Sequence, residues 1–173
     1  MLTAEGFSDF FEAVHTPAKA PATKRAKPFR WQTMLANNVA QAGWPGGISL
    51  PTASGKTACL DIAIYCLALS ADTEHPSPRR FFFVVDRRIV VDEAFRRATK
   101  IAQALKEPRS EIVAEVASRL RNLGGGALPL VVSRITSPPS SGRGRSQASG
   151  GRSFSRSWIP RARQGSRSAS SIT

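Results

Sequence analysis

Apolar side chains recur at helical spacing in five stretches of the chain. Phe7, Phe10, Phe11 and Val14 fall at i, i+3, i+4 and i+7, so Ala4 to His15 predicts a short amphipathic helix whose task is packing. Trp31, Leu35, Val39 and Ala42 form the next stripe, which Gly43 closes. Ala58 to Leu69 is apolar nearly all round, the pattern of a helix enclosed by other elements. Val91, Phe95, Ala98, Ala102 and Leu105 make the fourth stripe. The fifth starts at Ser110, a good N-cap, and carries Ile112, Val113, Val116, Leu120 and Leu123 up to the glycines 124–126.

Three shorter apolar runs lie between these helices. Ile48 to Leu50 leads into a turn of small residues, Arg80 to Val85 is continuous and bounded by turn signals, and Leu128 to Ser133 follows the glycines. Runs of this kind suit buried parallel strands. Strand alternating with helix predicts an α/β fold, a doubly wound domain with a parallel sheet over residues 29–135. A helix and a Pro/Ala/Lys linker over residues 1–28 precede it. From Thr136 to Thr173, Ser, Arg, Gly and Pro make up 27 of 38 residues without periodicity, so this tail is expected to be disordered.

Charge sharpens that division. In 173 residues, 25 Lys and Arg face 12 Asp and Glu, a net +13, but no acid lies beyond Glu115 and the tail alone holds seven Arg. The first 135 residues therefore carry 13 − 7 = +6. Two readings of the tail stay open: an Arg/Ser segment that binds nucleic acid nonspecifically, or the product of a coding frame lost near Arg134. The second also accounts for a strand-and-helix pattern that stops where another strand is due. Cys59 and Cys66 fall on one face of one helix and read as buried thiols in a reducing compartment. With only His15 and His75 as further candidates, no metal site is expected from them. No apolar run reaches the ~20 residues of a membrane span, and no secretory pattern opens the chain, so a cytoplasmic protein without membrane partners is expected.

One motif carries chemistry. Pro51-Thr52-Ala53-Ser54-Gly55-Lys56-Thr57 joins the run Ile48–Leu50 to the helix beginning near Ala58. A turn of small residues aims backbone N–H groups inward, and a helix N-terminus adds about half a positive charge, so the segment suits a phosphate chain. Thr52, Ala53, Ser54, Gly55, Lys56 and Thr57 are then the candidate residues for binding a nucleotide's phosphates. Lys56 would reach the β- and γ-phosphates, and the Thr57 hydroxyl would sit on Mg²⁺. The segment resembles motif I of superfamily-two helicases, usually P-T-x-x-G-K-T, with Ala53 where most of them carry Gly. Phe29-Arg30-Trp31-Gln32, one helix earlier, resembles their Q motif, in which the amide pairs with adenine; Gln32 would make ATP the nucleotide.

Asp86-Arg87-Arg88 heads the fourth helix and resembles motif Ia, with Arg87 and Arg88 as contacts to single-stranded DNA phosphates. Asp92-Glu93-Ala94 imitates the acidic helicase box. It follows Lys56 too closely, however, and the helical stripe runs straight through it, so the acids belong to the first turns of a helix.

Together with the run Val84-Val85-Asp86-Arg87-Arg88-Ile89-Val90-Val91-Asp92, these motifs resemble the start of a CRISPR-associated helicase-nuclease of type I systems. The resemblance spans roughly Phe7 to Arg134. It implies part of a RecA-like P-loop domain, ATP and Mg²⁺ as ligands, and single-stranded DNA and an RNA-guided surveillance complex as partners. It also implies that the acidic box, the second RecA-like domain with its arginine finger and the nuclease lie outside this chain, which alone should not turn ATP over. Another superfamily-two motor, or a basic nucleic-acid-binding protein with no enzymatic activity, are the alternatives.

Overall fold

Eleven residues in the middle of the chain decide the architecture. Cys59–Leu69 (α3) is so uniformly apolar that it has no face to give to water, and eight consecutive residues from Asp61 to Ala68 are buried. Four other helices enclose it: Phe7–His15 (α1), Arg30–Ala42 (α2), Arg88–Lys106 (α4) and Glu111–Gly124 (α5). In the computed structural model these elements lie within residues 1–134, of which 52, 74–76, 85, 86 and 125 are not described; residues 135–173 are likewise outside it. The expectations placed on Thr52, His75, Val85, Asp86 and the tail from Thr136 therefore lie outside the described residues.

Each surrounding helix turns an apolar face inward, but not always the expected stripe: on α4 Val91, Phe95, Ala98 and Ala102 are only half-buried, and Ala42 of α2 is exposed. Phe7, Phe10, Phe11 and Val14 of α1 are buried, as are Leu35, Ala36 and Val39 of α2, Ala94, Ile101 and Leu105 of α4, and Val113, Val116, Ala117 and Leu120 of α5. Tyr65 is the centre of this core, its ring 5.8 Å from Phe7 and 5.3 Å from Phe10. Burying each such ring contributes about 1.5–3 kcal/mol. The Tyr65 hydroxyl donates to the Thr3 carbonyl at 2.7 Å, which fastens the N-terminal segment over α3. Gly6 permits that approach, since a Cβ there would stand 2.5 Å from the Tyr65 oxygen. Residues 1–28 are thus not an appendage: α1 shares one core with the helices that follow.

The helical expectations correspond to the five helices, and α4 runs through Asp92 and Glu93 without a break. Asp92 lies 2.6 Å from Arg134 Nη1, an ion pair whose N–H is not aligned on the oxygen as a hydrogen bond would be.

The α/β fold with its parallel sheet is not what forms. Among the described residues the secondary structure is entirely helical, with no strand. Ile48–Leu50, 80–84 and 128–133 are extended or irregular segments without ladder partners. The reason is that a helix satisfies its hydrogen bonds within its own segment, whereas a strand needs a neighbour. Phe82 is 77% exposed and Val84 87%, so the most strand-like run of the sequence lies open to solvent. No helix among the described residues is long and apolar enough to cross a membrane.

Candidate functional site

The motif segment is a loop held from outside. After Pro51 the chain turns through Ala53 at φ +63° and Gly55 at φ +75°, both left-handed, into a 3₁₀ turn, Lys56–Ala58, that runs straight into α3. Gly55 suits that conformation; Ala53, with a Cβ, is strained there by about 1–2 kcal/mol. Two side chains of α2 fix the loop. The Trp31 indole N–H donates to the Ser54 carbonyl at 3.0 Å, and the Gln32 amide N–H donates to the Gly55 carbonyl at 3.1 Å. Within the loop, the Ser54 hydroxyl closes onto the Pro51 carbonyl at 2.8 Å.

These contacts bring Gln32, Ser54, Gly55, Lys56 and Thr57 together, with Ala53 at the rim. Lys56 is exposed at the head of the turn, and its backbone N–H and that of Thr57 belong to the first turn, where no earlier residue of the helix supplies an acceptor. An oxyanion placed there would meet backbone donors, the positive end of α3 and a mobile ammonium. In their chemistry these residues fit a phosphate chain, and the Thr57 hydroxyl would be the oxygen available to hold its Mg²⁺. Arg87 and Arg88 are exposed at the start of α4, as contacts to a nucleic-acid backbone require.

Gln32 stands differently from its expected role. It is 2% exposed, and while its nitrogen holds Gly55 its Oε1 accepts the Phe29 N–H at 2.9 Å, capping the start of α2. The Phe29 ring covers Gly55 on the same side.

Behind the loop lies a group that the hydrophobic pattern concealed. Asp61, in the first turn of α3, is fully buried. Its Oδ1 accepts His15 Nε2–H at 2.5 Å and its Oδ2 accepts Arg97 Nε–H at 2.5 Å. The Phe11 ring packs between the two donors, 4.6 Å from the His15 ring and 5.4 Å from the Arg97 guanidinium carbon. A single acid inside an otherwise apolar helix was the available signal, because such a group is buried only with partners. The same carboxylate, after burial itself, helps hold the Cys59 thiol pKa above its ordinary value. Burial pushes the Cys66 thiol up to about 12. Both cysteines are free, and no cluster of three metal-ligating side chains occurs among the described residues.

A cleft of about 1170 Å³ opens elsewhere, between α1, the linker and the α4–α5 corner. Its charges are of both signs and partly satisfied, with Arg25 on Glu12 at 2.7 Å and Lys100 on the His15 carbonyl at 3.2 Å. Its lining contains no glycine turn.

Neither a known protein family, a curated protein nor a solved structure matches this chain.

Proposed function

We propose that the chain binds ATP·Mg²⁺ through residues 53–57, as the N-terminal ATP-binding part of an ATP-dependent DNA motor of CRISPR antiviral defence. The observation that carries the reading is the loop itself: a left-handed Gly55 delivers an exposed Lys56 and the N-terminus of α3 to one point, and Trp31 and Gln32 brace it. The wider assignment to such a motor, with single-stranded DNA and an RNA-guided complex as partners, rests on the motif resemblance. Arg87 and Arg88 supply the backbone contacts to DNA in this reading, and they give affinity without sequence preference.

Hydrolysis is not part of the proposal for this chain alone. In-line attack on the γ-phosphoryl group needs an oriented water and charge stabilisation by an arginine finger, worth about 10³ to 10⁵ in rate. Lys56 and Thr57 hold the ground state only. A Lys56-dependent turnover of about 1 per second, within the range of competent phosphoryl-transfer enzymes, would contradict this.

Calorimetric titration of the purified chain with ATP·Mg²⁺, beside Lys56→Ala, tests the proposal. Saturable binding that disappears in the variant is expected. Wild-type protein that takes up no nucleotide would overturn it.

A further inference from the structure

The reading of the loop as a phosphate site has a consequence for what it selects, and this inference rests on that reading. A side chain that reads adenine needs a donor and an acceptor directed at the ligand. Gln32 commits one N–H to the Gly55 carbonyl at 3.1 Å and one Oε1 lone pair to the Phe29 N–H at 2.9 Å, and at 2% exposure the rest of its amide is closed off from solvent. To turn toward a base it would leave the Phe29 N–H at the helix start without its acceptor and take from the Gly55 carbonyl one of its two donors, the other being the Ala58 N–H. The neighbouring polar group is committed in the same way, the Trp31 N–H being held by the Ser54 carbonyl. What remains beside Gly55 is the Phe29 ring, 57% exposed, and an aromatic face stacks on any base.

We infer that the site takes the triphosphate–Mg²⁺ group of any nucleoside triphosphate and does not select adenine. Gln32 is a positioning residue. It sets the Gly55 carbonyl, and through it the turn that presents Lys56, so its effect is on phosphate binding as a whole.

The experiment is a calorimetric series on the full chain with Mg²⁺ and, in turn, ATP, GTP, CTP and inorganic tripolyphosphate, repeated with Lys56→Ala and Gln32→Glu. The three nucleotides should bind within about threefold of one another, and tripolyphosphate should bind measurably, since an amide on adenine discriminates by roughly tenfold or more and none is offered here. Lys56→Ala should abolish all four. Gln32→Glu keeps the acceptor for Phe29 but loses the donor to Gly55, so it should weaken ATP and GTP by the same factor. ATP binding at least about tenfold tighter than GTP, with that preference lost in Gln32→Glu, would overturn the inference and leave the phosphate-loop reading standing. Binding of none of the four would overturn both. The wild-type series decides the question by itself should either variant fail to fold.

Discussion

The Trp31 indole N–H donates to the Ser54 carbonyl across 3.0 Å, tying the start of α2 to the loop that precedes α3. The bond joins segments 23 residues apart, and it acts on the backbone rather than on a side chain, so it governs where the loop lies. Trp31→Phe keeps an aromatic side chain, smaller than indole, and removes the donor. A neutral hydrogen bond of this kind contributes about 0.5–1.5 kcal/mol. The variant should therefore lose at least about that much unfolding free energy in urea titration, and bind ATP·Mg²⁺ several-fold more weakly. Unchanged ATP affinity would show that the loop needs no brace from α2.

Ala53 should be improvable. At φ +63° it occupies a conformation in which an L side chain meets the following carbonyl, and glycine does not. Ala53→Gly removes that strain of about 1–2 kcal/mol, partly offset by the greater freedom of glycine in the unfolded chain. Thermal denaturation should show equal or higher stability, and calorimetry equal or tighter ATP binding. A fall in both would mean that the left-handed turn at this residue is not the binding conformation.

How legible this was differs by element. The helices α1, α2, α4 and α5 were plain because a helix is specified by its own side chains, and α4 could be carried through Asp92 and Glu93; its buried face, Ala94, Ile101 and Leu105, was read only at Leu105. The runs 80–85 and 128–133 have the same apolar content, but their pairing depends on residues elsewhere, and no local pattern reports it. The loop's residues were legible by type and spacing. Gln32's commitment was not, because an amide's partners are fixed by tertiary contacts at Gly55 and Phe29. Asp61 was passed over in a helix apolar nearly all round, and nothing in the sequence tied it to His15 and Arg97, 46 and 36 residues away.

Alkaline pH should destabilise the fold through Cys66. Its thiol, 4% exposed and donating to the Ala36 carbonyl at 3.6 Å, has its pKa pushed up by burial from 9.0 to about 12. Between those values the unfolded chain has lost the proton and the folded chain keeps it. Stability is therefore complete below pH 9 and falls as pH rises, by about 1.4 kcal/mol per unit for one group. Tyr65, also raised by burial, adds to the loss above pH 10. Urea unfolding of wild type and Cys66→Ala between pH 8 and 11 checks this. The variant should lose less stability over that range, and parallel curves would exclude the thiol as the cause.

The buried carboxylate gives the sharpest contrast between two substitutions. Asp61 lies at 0% exposure between His15, 11% exposed, and Arg97, 21% exposed, and Arg97 Nη2 already has no partner among the described residues. Asp61→Ala would leave the guanidinium enclosed without an anion, a change that costs about 3–5 kcal/mol in buried pairs. Replacing all three groups at once, as His15→Leu, Asp61→Leu and Arg97→Leu, removes the charges together and should recover most of that loss, because desolvation had offset much of their attraction. Chemical denaturation of both proteins measures the difference. A triple variant no more stable than Asp61→Ala would mean that the three side chains matter through their shapes around Phe11, and that the pairing of charge contributes little.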